Sequence, residues 1–148
     1  MESEIRFLHP TGRYGFLSNY FEYVFRIDRR DWRTVEHYYQ AQKFDSAAMK
    51  ERIRLCGTPD GAKGCAHSHN HLWRSDWDEV RCAVMRRAVL AKFTSSGFLS
   101  RELLDTGDAM LIEDSKSDAF WGIGGDDTGS NMLGVILMET RARLNACV

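Results

Sequence analysis

The sequence predicts a helix-rich α+β fold in a single domain spanning residues 1–148. Three observations lead there. Short strand-like runs of aromatic and β-branched residues open the chain, segments with helical spacing and end signals fill its middle and C-terminus, and no repeat or low-complexity linker divides them. A chain of 148 residues can bury about 70% of its unfolded surface, enough for a genuine core.

The elements follow in order. "IRFLH" and "YVFRI" read as strands, with Asp28-Arg29-Arg30 turning after the second. Between them, "PTGRYGFLSNYF" is a loop with two glycines and a Ser18-Asn19 pair bracketed by aromatics. "TVEHYYQAQKF", residues 34–44, reads as a helix because it lacks Pro and Gly and Thr34 stands where an N-cap belongs. A second helix is expected at about 46–55, capped by Asp45, and the Gly-broken "TPDGAKGCAHSHNH" should hold one short helix. A longer helix, about 78–93, carries Val80, Val84, Ala88 and Ala91 along one face, and another runs over about 98–105. "AMLIED" is a strand candidate and "DAFWGIGGDDTGSN" a glycine-rich loop. The last helix, about 131–146, buries Leu133, Ile136, Leu137 and Leu144.

Composition narrows the function. The chain is 43% hydrophobic and 28% charged with a formal net charge of −1, so no global field would hold a polyanion and the chain does not read as an architectural DNA binder. Nucleic-acid contact would have to come from a local patch. No apolar run reaches the roughly 18 residues of a membrane span, and "MESEIRFLHP" does not read as a signal peptide. Cys56, Cys65, Cys82 and Cys147 form no CxxC pair; free thiols in a reducing compartment are expected, which means the cytoplasm, or the nucleus in a eukaryote.

At about 100° per residue, Glu36, Gln40 and Lys43 fall in one narrow stripe flanked by Tyr39 on one side and His37 and Phe44 on the other. Geometry alone leaves two readings: a solvated Glu/Lys face, or the floor of a pocket. Bulky flanks favour the pocket, as does the first-turn position of Glu36, where the helix dipole supports a carboxylate. His67, His69 and His71 alternate without a completing Cys pair, so a solvated loop is expected there rather than a metal site. The 118–131 loop is either structural or an anion site, since it has neither a P-loop nor a dinucleotide fingerprint. Trp77 either staples a helix entrance or offers a flat ring to a ligand.

Taken together, "GFLSNYF", "TVEHYYQAQKF", "W…V…VMRRAVLAKF", "LLDTGDAMLIED" and "DAFWGIGG…GSNMLGVILMETR" resemble the NADAR family, the YbiA-like proteins, over roughly residues 14–144. The resemblance implies an N-glycosidase that cleaves a ribose C1′–N bond. One branch of the family acts on phosphoribosylamino-pyrimidine intermediates of riboflavin synthesis; another removes ADP-ribose from guanine in nucleic acid. The expected substrate is therefore an ADP-ribosyl or phosphoribosyl N-glycoside, the ADP-ribosyl guanine first, with at most transient contact with modified nucleic acid and none with a membrane. A non-catalytic reader of ADP-ribose or a nucleotide is the rival reading. The family motif maps onto Glu36, expected to be catalytic, and Lys43 in the same segment. It maps further onto Asn19 in the loop, Trp77 opening the long helix, Asp118 and Trp121 in D-x-F-W-G, and Asn131 in the last block. Two departures stand out: Arg33 where many members carry Pro, and Ile123 where an Asp is common. The HSHNH segment has no counterpart in the pattern.

These residue types suit the implied chemistry. Cleavage passes through an oxocarbenium-like state, and a fixed carboxylate beside C1′ stabilises it or deprotonates water; Glu36 is the candidate, with Asp118 as second carboxylate. Lys43 either pairs with a substrate phosphate or helps position it, the role placed first. The alternative is that it attacks C1′ as a neutral amine and forms a Schiff base, which requires a lowered pKa. Trp77 and Trp121 can stack a base for about 1–3 kcal/mol each. Gly122, Gly124, Asn19, Gln40 and Asn131 are expected to bind substrate. No cofactor or metal is called for, so activity should withstand EDTA.

Overall fold

The computed structural model describes residues 2–147; the two ends of the predicted 1–148 domain, Met1 and Val148, lie outside them. The described residues form six α-helices and four short strands, the helix-rich α+β class. By its internal contacts the chain divides into two units: one runs to Phe21 and resumes at Phe93, the other is Glu22–Lys92.

In the first unit, β1 (Glu4–Phe7) pairs in parallel with β4 (Met110–Glu113), Glu4 opposite Met110 and Phe7 opposite Glu113. Ile5 and Phe7 point inward and Glu4 and Arg6 outward, the period of a half-buried strand. Helix α5 (Gly97–Leu104) is capped by Ser96, which accepts from Leu99 N, and it buries Leu99 and Leu103. Helix α6 (Met132–Ala146) buries Leu133, Ile136 and Leu137 as expected. Leu144 is only half-buried. Thr140 and Arg141 are buried instead, and Arg141 Nη1 donates to Thr106 Oγ1 at 2.9 Å. A hydrogen-bonded guanidinium can occupy a core position that periodicity would assign to an aliphatic residue.

The junction of β4 and α6 explains the "GSNMLG" block. Asn131 adopts the left-handed conformation (φ 49°) ahead of the helix. Its Oδ1 accepts from Glu113 N and its Nδ2 donates to Leu111 O, both at 2.9 Å. Three residues on, Gly134 sits so close to the Leu111 carbonyl and the Asn131 amide that a Cβ would overlap them. Only glycine lets the helix approach this strand.

In the second unit, β2 (Phe25–Ile27) and β3 (Arg30–Trp32) form an antiparallel hairpin. Asp28 and Arg29 make its turn with φ of 54° and 66°, the double positive φ of a type I′ turn. Strand β3 was not expected from sequence. It is three residues long and only Trp32 is buried, so no alternating pattern reveals it.

Helix α1 (Val35–Ala41) packs against α2 (Ala47–Arg54) and α3 (Pro59–Ser68). Thr34 caps α1 as predicted, accepting from His37 N at 3.1 Å. The helix ends earlier than the predicted 34–44, which leaves Lys43 in the turn beyond it. Ser46, not Asp45, caps α2 through Met49 N. The glycines do not break α3: Thr58 caps it, Pro59 starts it, and it continues for 10 residues, because a good cap and an N-terminal proline offset the low propensity of glycine. His67 accordingly lies on α3 rather than in a loop, with His69 and His71 in the tight turns after it.

Helix α4 is Trp77–Thr94, and the division between units falls in its last turn. Its buried positions are Trp77, Met85, Ala88, Val89, Lys92 and Phe93. Val80, Val84 and Ala91 are half-buried, so the buried face is rotated from the predicted one and only Ala88 is shared. Burial pulls the Lys92 pKa down to about 7.

Candidate active site

Thr34 and His37 set the start of α1. Burial keeps the His37 imidazole below its ordinary pKa and so neutral. Its Nε2 lies 2.9 Å from the Cys56 carbonyl, which can only accept, so Nε2 carries the proton. Nδ1 then accepts from Thr34 Oγ1 at 2.8 Å. His37 is fully buried, so this flank of the stripe anchors α1 rather than facing a ligand.

The polar stripe is buried: Glu36 is 8% exposed, Gln40 2% and Lys43 5%. It is not a solvated face. Gln40 Nε2 donates to Glu36 Oε1 at 2.7 Å. A carboxylate only accepts, so the amide must present its NH₂ to Glu36, and this orients the other end. That other end, Gln40 Oε1, is buried without a hydrogen-bond partner among the described residues. Such an atom costs about 1–3 kcal/mol unless a donor reaches it.

Lys43 is placed by tertiary contacts. Phe44 forms an isolated antiparallel bridge with Trp73, and Arg74 N donates to Lys43 O at 2.7 Å. The Lys43 ammonium therefore faces three rings, with Nζ 4.1 Å from the Trp73 centroid, 5.3 Å from Tyr39 and 5.8 Å from Trp77. Tyr39 and Trp77 meet edge to face at 5.1 Å. Burial lowers the Lys43 pKa to about 8; the Glu36 carboxylate works against that shift and the Lys63 cation adds to it. Trp73 Nε1 donates to Ala66 O at 2.9 Å, which ties this wall of the cage to α3.

The predicted residues of the second unit thus come together: Glu36, Gln40, Lys43 and Trp77. Sequence reasoning did not single out Trp73 or Lys63, and it weighed His67 only as a metal ligand or part of a solvated loop. The Trp73/Trp77 pair in "HLWRSDW" was the one available signal.

The other predicted residues belong to the first unit. Asp118 Oδ1 accepts from Phe120 N at 2.9 Å and Trp121 N at 2.8 Å, so one carboxylate oxygen is engaged in shaping the turn that carries Trp121. Trp121 is half-buried and meets Phe120 edge to face at 4.8 Å. Gly122 O accepts from Asn131 N, Gly124 has φ 76°, and both Asn131 side-chain ends are taken by β4, as above. Asn19 is buried in the loop after the 3-10 turn Gly15–Leu17. Among the described residues, no group of three or more His, Cys, Asp or Glu could hold a metal ion. None of their helices is long and apolar enough to cross a membrane.

Glu36 and Gln40 are thus hydrogen-bonded to each other, and the Lys43 amine, its pKa lowered by burial, lies beneath aromatic rings. The chain belongs to the NADAR domain family, whose model matches residues 6–145. It is 39% identical over 140 residues to N-glycosidase YbiA of Escherichia coli, covering 95% of this chain and 88% of that one. With an N-glycosidase of Nostoc punctiforme it shares 41% identity over 134 residues, 88% of this chain and 86% of that one. A riboflavin biosynthesis protein of Vibrio vulnificus is 40% identical over 144 residues, 97% of this chain, but the match spans only 39% of that longer protein. The fold agrees: the NMR structure of E. coli YbiA matches with a TM-score of 0.90 at 37% identity, covering 99% of this chain and 88% of that one.

Proposed function

We propose that the bond this N-glycosidase hydrolyses joins C1′ of a ribose to a base nitrogen, and that its substrate is ADP-ribosylated guanine in nucleic acid. The observation that carries the reading is Lys43: a buried amine under three rings, with a pKa of about 8, beside a carboxylate. Of its two expected roles, this environment supports the nucleophile, since burial favours the neutral amine.

The step balances as follows. Lys43 Nζ bonds to C1′ as the C1′–N bond breaks, and the amine proton passes through Glu36 to the departing nitrogen. The ribose ring then opens, O4′ taking a proton, to leave an imine on Lys43. Water adds to C1′, the amine leaves, and the free sugar closes. Gln40 orients Glu36 through the 2.7 Å bond, and its other end accepts from water or a sugar hydroxyl. The leaving base departs as a protonated species, so no Lewis acid is required and EDTA should leave activity intact.

Trp77, beside the Lys43 amine, is assigned to substrate binding, and the family motif is what supports the same assignment for Asn19, Trp121, Gly122 and Gly124. Asp118 and Asn131 support the Trp121 loop through the backbone bonds given above. One modified nucleotide can be recognised with little surface, so the near-neutral chain is compatible with such a substrate. Four free cysteines fit a cytoplasmic setting. A second reading, hydrolysis of phosphoribosylamino-pyrimidines, is favoured by relatives named as riboflavin biosynthesis proteins in V. vulnificus and in Zea mays, the latter 33% identical over 155 residues, 95% of this chain and 25% of that one.

The test offers both substrates to the wild type and to Glu36→Gln and follows free base. Release from the guanine oligonucleotide, lost in the variant, is expected. Release from the pyrimidine alone favours the second reading, and binding without release favours the non-catalytic reader. Borohydride during turnover should trap the sugar on Lys43; its failure to do so returns Lys43 to the phosphate role.

A further inference from the structure

An ammonium is ordinarily held by bulk water or by a carboxylate. Lys43 is 5% exposed, and among the described residues no carboxylate comes within ion-pair distance of its Nζ; the Glu36 charge reaches it through space. Ring faces take the place of both. Nζ lies over Trp73 at 4.1 Å from the centroid, with Tyr39 at 5.3 Å and Trp77 at 5.8 Å. All three fall inside the roughly 6 Å within which a ring quadrupole attracts a cation, and Trp73 is the closest.

Trp73 is placed there by bonds to its backbone and to its ring. The Phe44–Trp73 bridge and the bond from Arg74 N to Lys43 O lay the two chain segments side by side. The indole Nε1 donates to Ala66 O at 2.9 Å, and the His67 ring meets the indole at 5.4 Å and 89°. The indole cannot turn its face from Nζ without losing that bond to α3. Donating the N–H also leaves the ring richer in electrons, which strengthens its negative face.

We propose that Trp73 is a catalytic residue: its indole face holds the positive charge that develops at Lys43 Nζ, in the place a carboxylate would otherwise take. The step at which it acts rests on the reading of Lys43 as nucleophile. Two events put charge on that nitrogen. Its lone pair forms the bond to C1′, which leaves it cationic until a proton passes to Glu36. The lone pair then closes C=N as the C1′–O4′ electrons leave with O4′, which takes a proton, and the imine forms as its protonated, cationic species. A carboxylate in ion-pair contact would hold the amine protonated beforehand. A ring face attracts a cation less strongly and leaves the lone pair available. The fixed indole thus favours the charged states of the reaction without locking the nucleophile as an ammonium.

The test replaces Trp73 with tryptophans carrying one, two and three ring fluorines, which keep the shape of the indole while draining negative charge from its face. Base release in a single turnover, and sugar trapped on Lys43 by borohydride, should both fall in steps, about tenfold across the series. The same series at Trp32, which packs in the core against Tyr38 at 5.1 Å, should change neither. An unchanged rate at Trp73, or a drop that does not grow with fluorine number, overturns the proposal and leaves Trp73 a packing residue. NMR titration of the Lys43 amine separates the two levels of failure. If the wild type traps no sugar, the nucleophile reading above is wrong; a Lys43 pKa that falls with each fluorine still supports the indole face as the holder of the charge. An unmoved pKa overturns it.

Discussion

Gln40 and Glu36, one turn apart on α1, share a 2.7 Å hydrogen bond, while the carbonyl end of the same Gln40 amide is buried with no partner. The amide therefore does two things at once. It fixes the carboxylate and holds an acceptor in reserve for a donor that arrives with substrate or water. A residue present only for packing would not carry this cost.

Replacing Gln40 with Leu keeps the bulk and removes both polar ends. Turnover should fall about 100-fold, the scale of a lost bond to a charged group, while stability changes little, because losing the orphaned oxygen offsets the donor that Glu36 loses. Steady-state kinetics beside denaturant unfolding checks this; equal losses in both would mean a structural amide. Glu36→Gln should cost more, about 10²–10⁴-fold in kcat, in the range of general acid–base catalysis.

Lys43→Met should abolish base release and stabilise the protein. The sign follows from the shift. The folded-state pKa is about 8 against an ordinary 10.5, so below about pH 8 the folded chain carries a buried charge it disfavours. Between about 8 and 10.5 the unfolded chain holds the extra proton, and wild-type stability rises with pH. The advantage of the variant is therefore full below about pH 8 and fades towards 10.5. Urea titrations at pH 6.5 and 9.5 would show it; an unchanged gap would contradict the buried charge.

Activity should climb with pH through about 8, as the Lys43 amine loses its proton. Burial sets this point first by lowering it; Glu36 on α1 raises it, and Lys63 on α3 lowers it further. Trp73→Ala admits water to the amine and lessens the desolvation that depresses its pKa. The rising limb of the pH–rate profile should then move to higher pH. A limb that stays in place would remove Trp73 from the cage.

Gly134→Ala tests the first unit. The new methyl would overlap the Leu111 carbonyl and the Asn131 amide, so a loss of about 1–3 kcal/mol is expected, the usual scale of overpacking. Guanidinium unfolding measures it, and a neutral result would show that α6 can slide on β4.

Much of this was legible along the chain because it is local. Thr34 as cap, the helical pair of Glu36 and Gln40, the strand at Met110–Glu113 and the last helix all follow from spacing and end signals within one element. The errors share a cause. Strand β3 is too short to show a period, and α3 outlasts its glycines because its cap and its contacts with α1 outweigh propensity. The buried face of α4 is set by what packs on it, and this brings Lys92 inside.

By itself, then, the sequence determined the helix-rich class, the family pattern and which residue types stand in the stripe. Only the tertiary structure decided that the stripe is buried, that Lys43 lies beyond its helix under Trp73, and that Gln40 has an unused acceptor. The physical reason is that burial and pKa depend on atoms brought in from distant segments. Trp73 lies 30 positions from Lys43 in the chain and 4.1 Å from it in the fold.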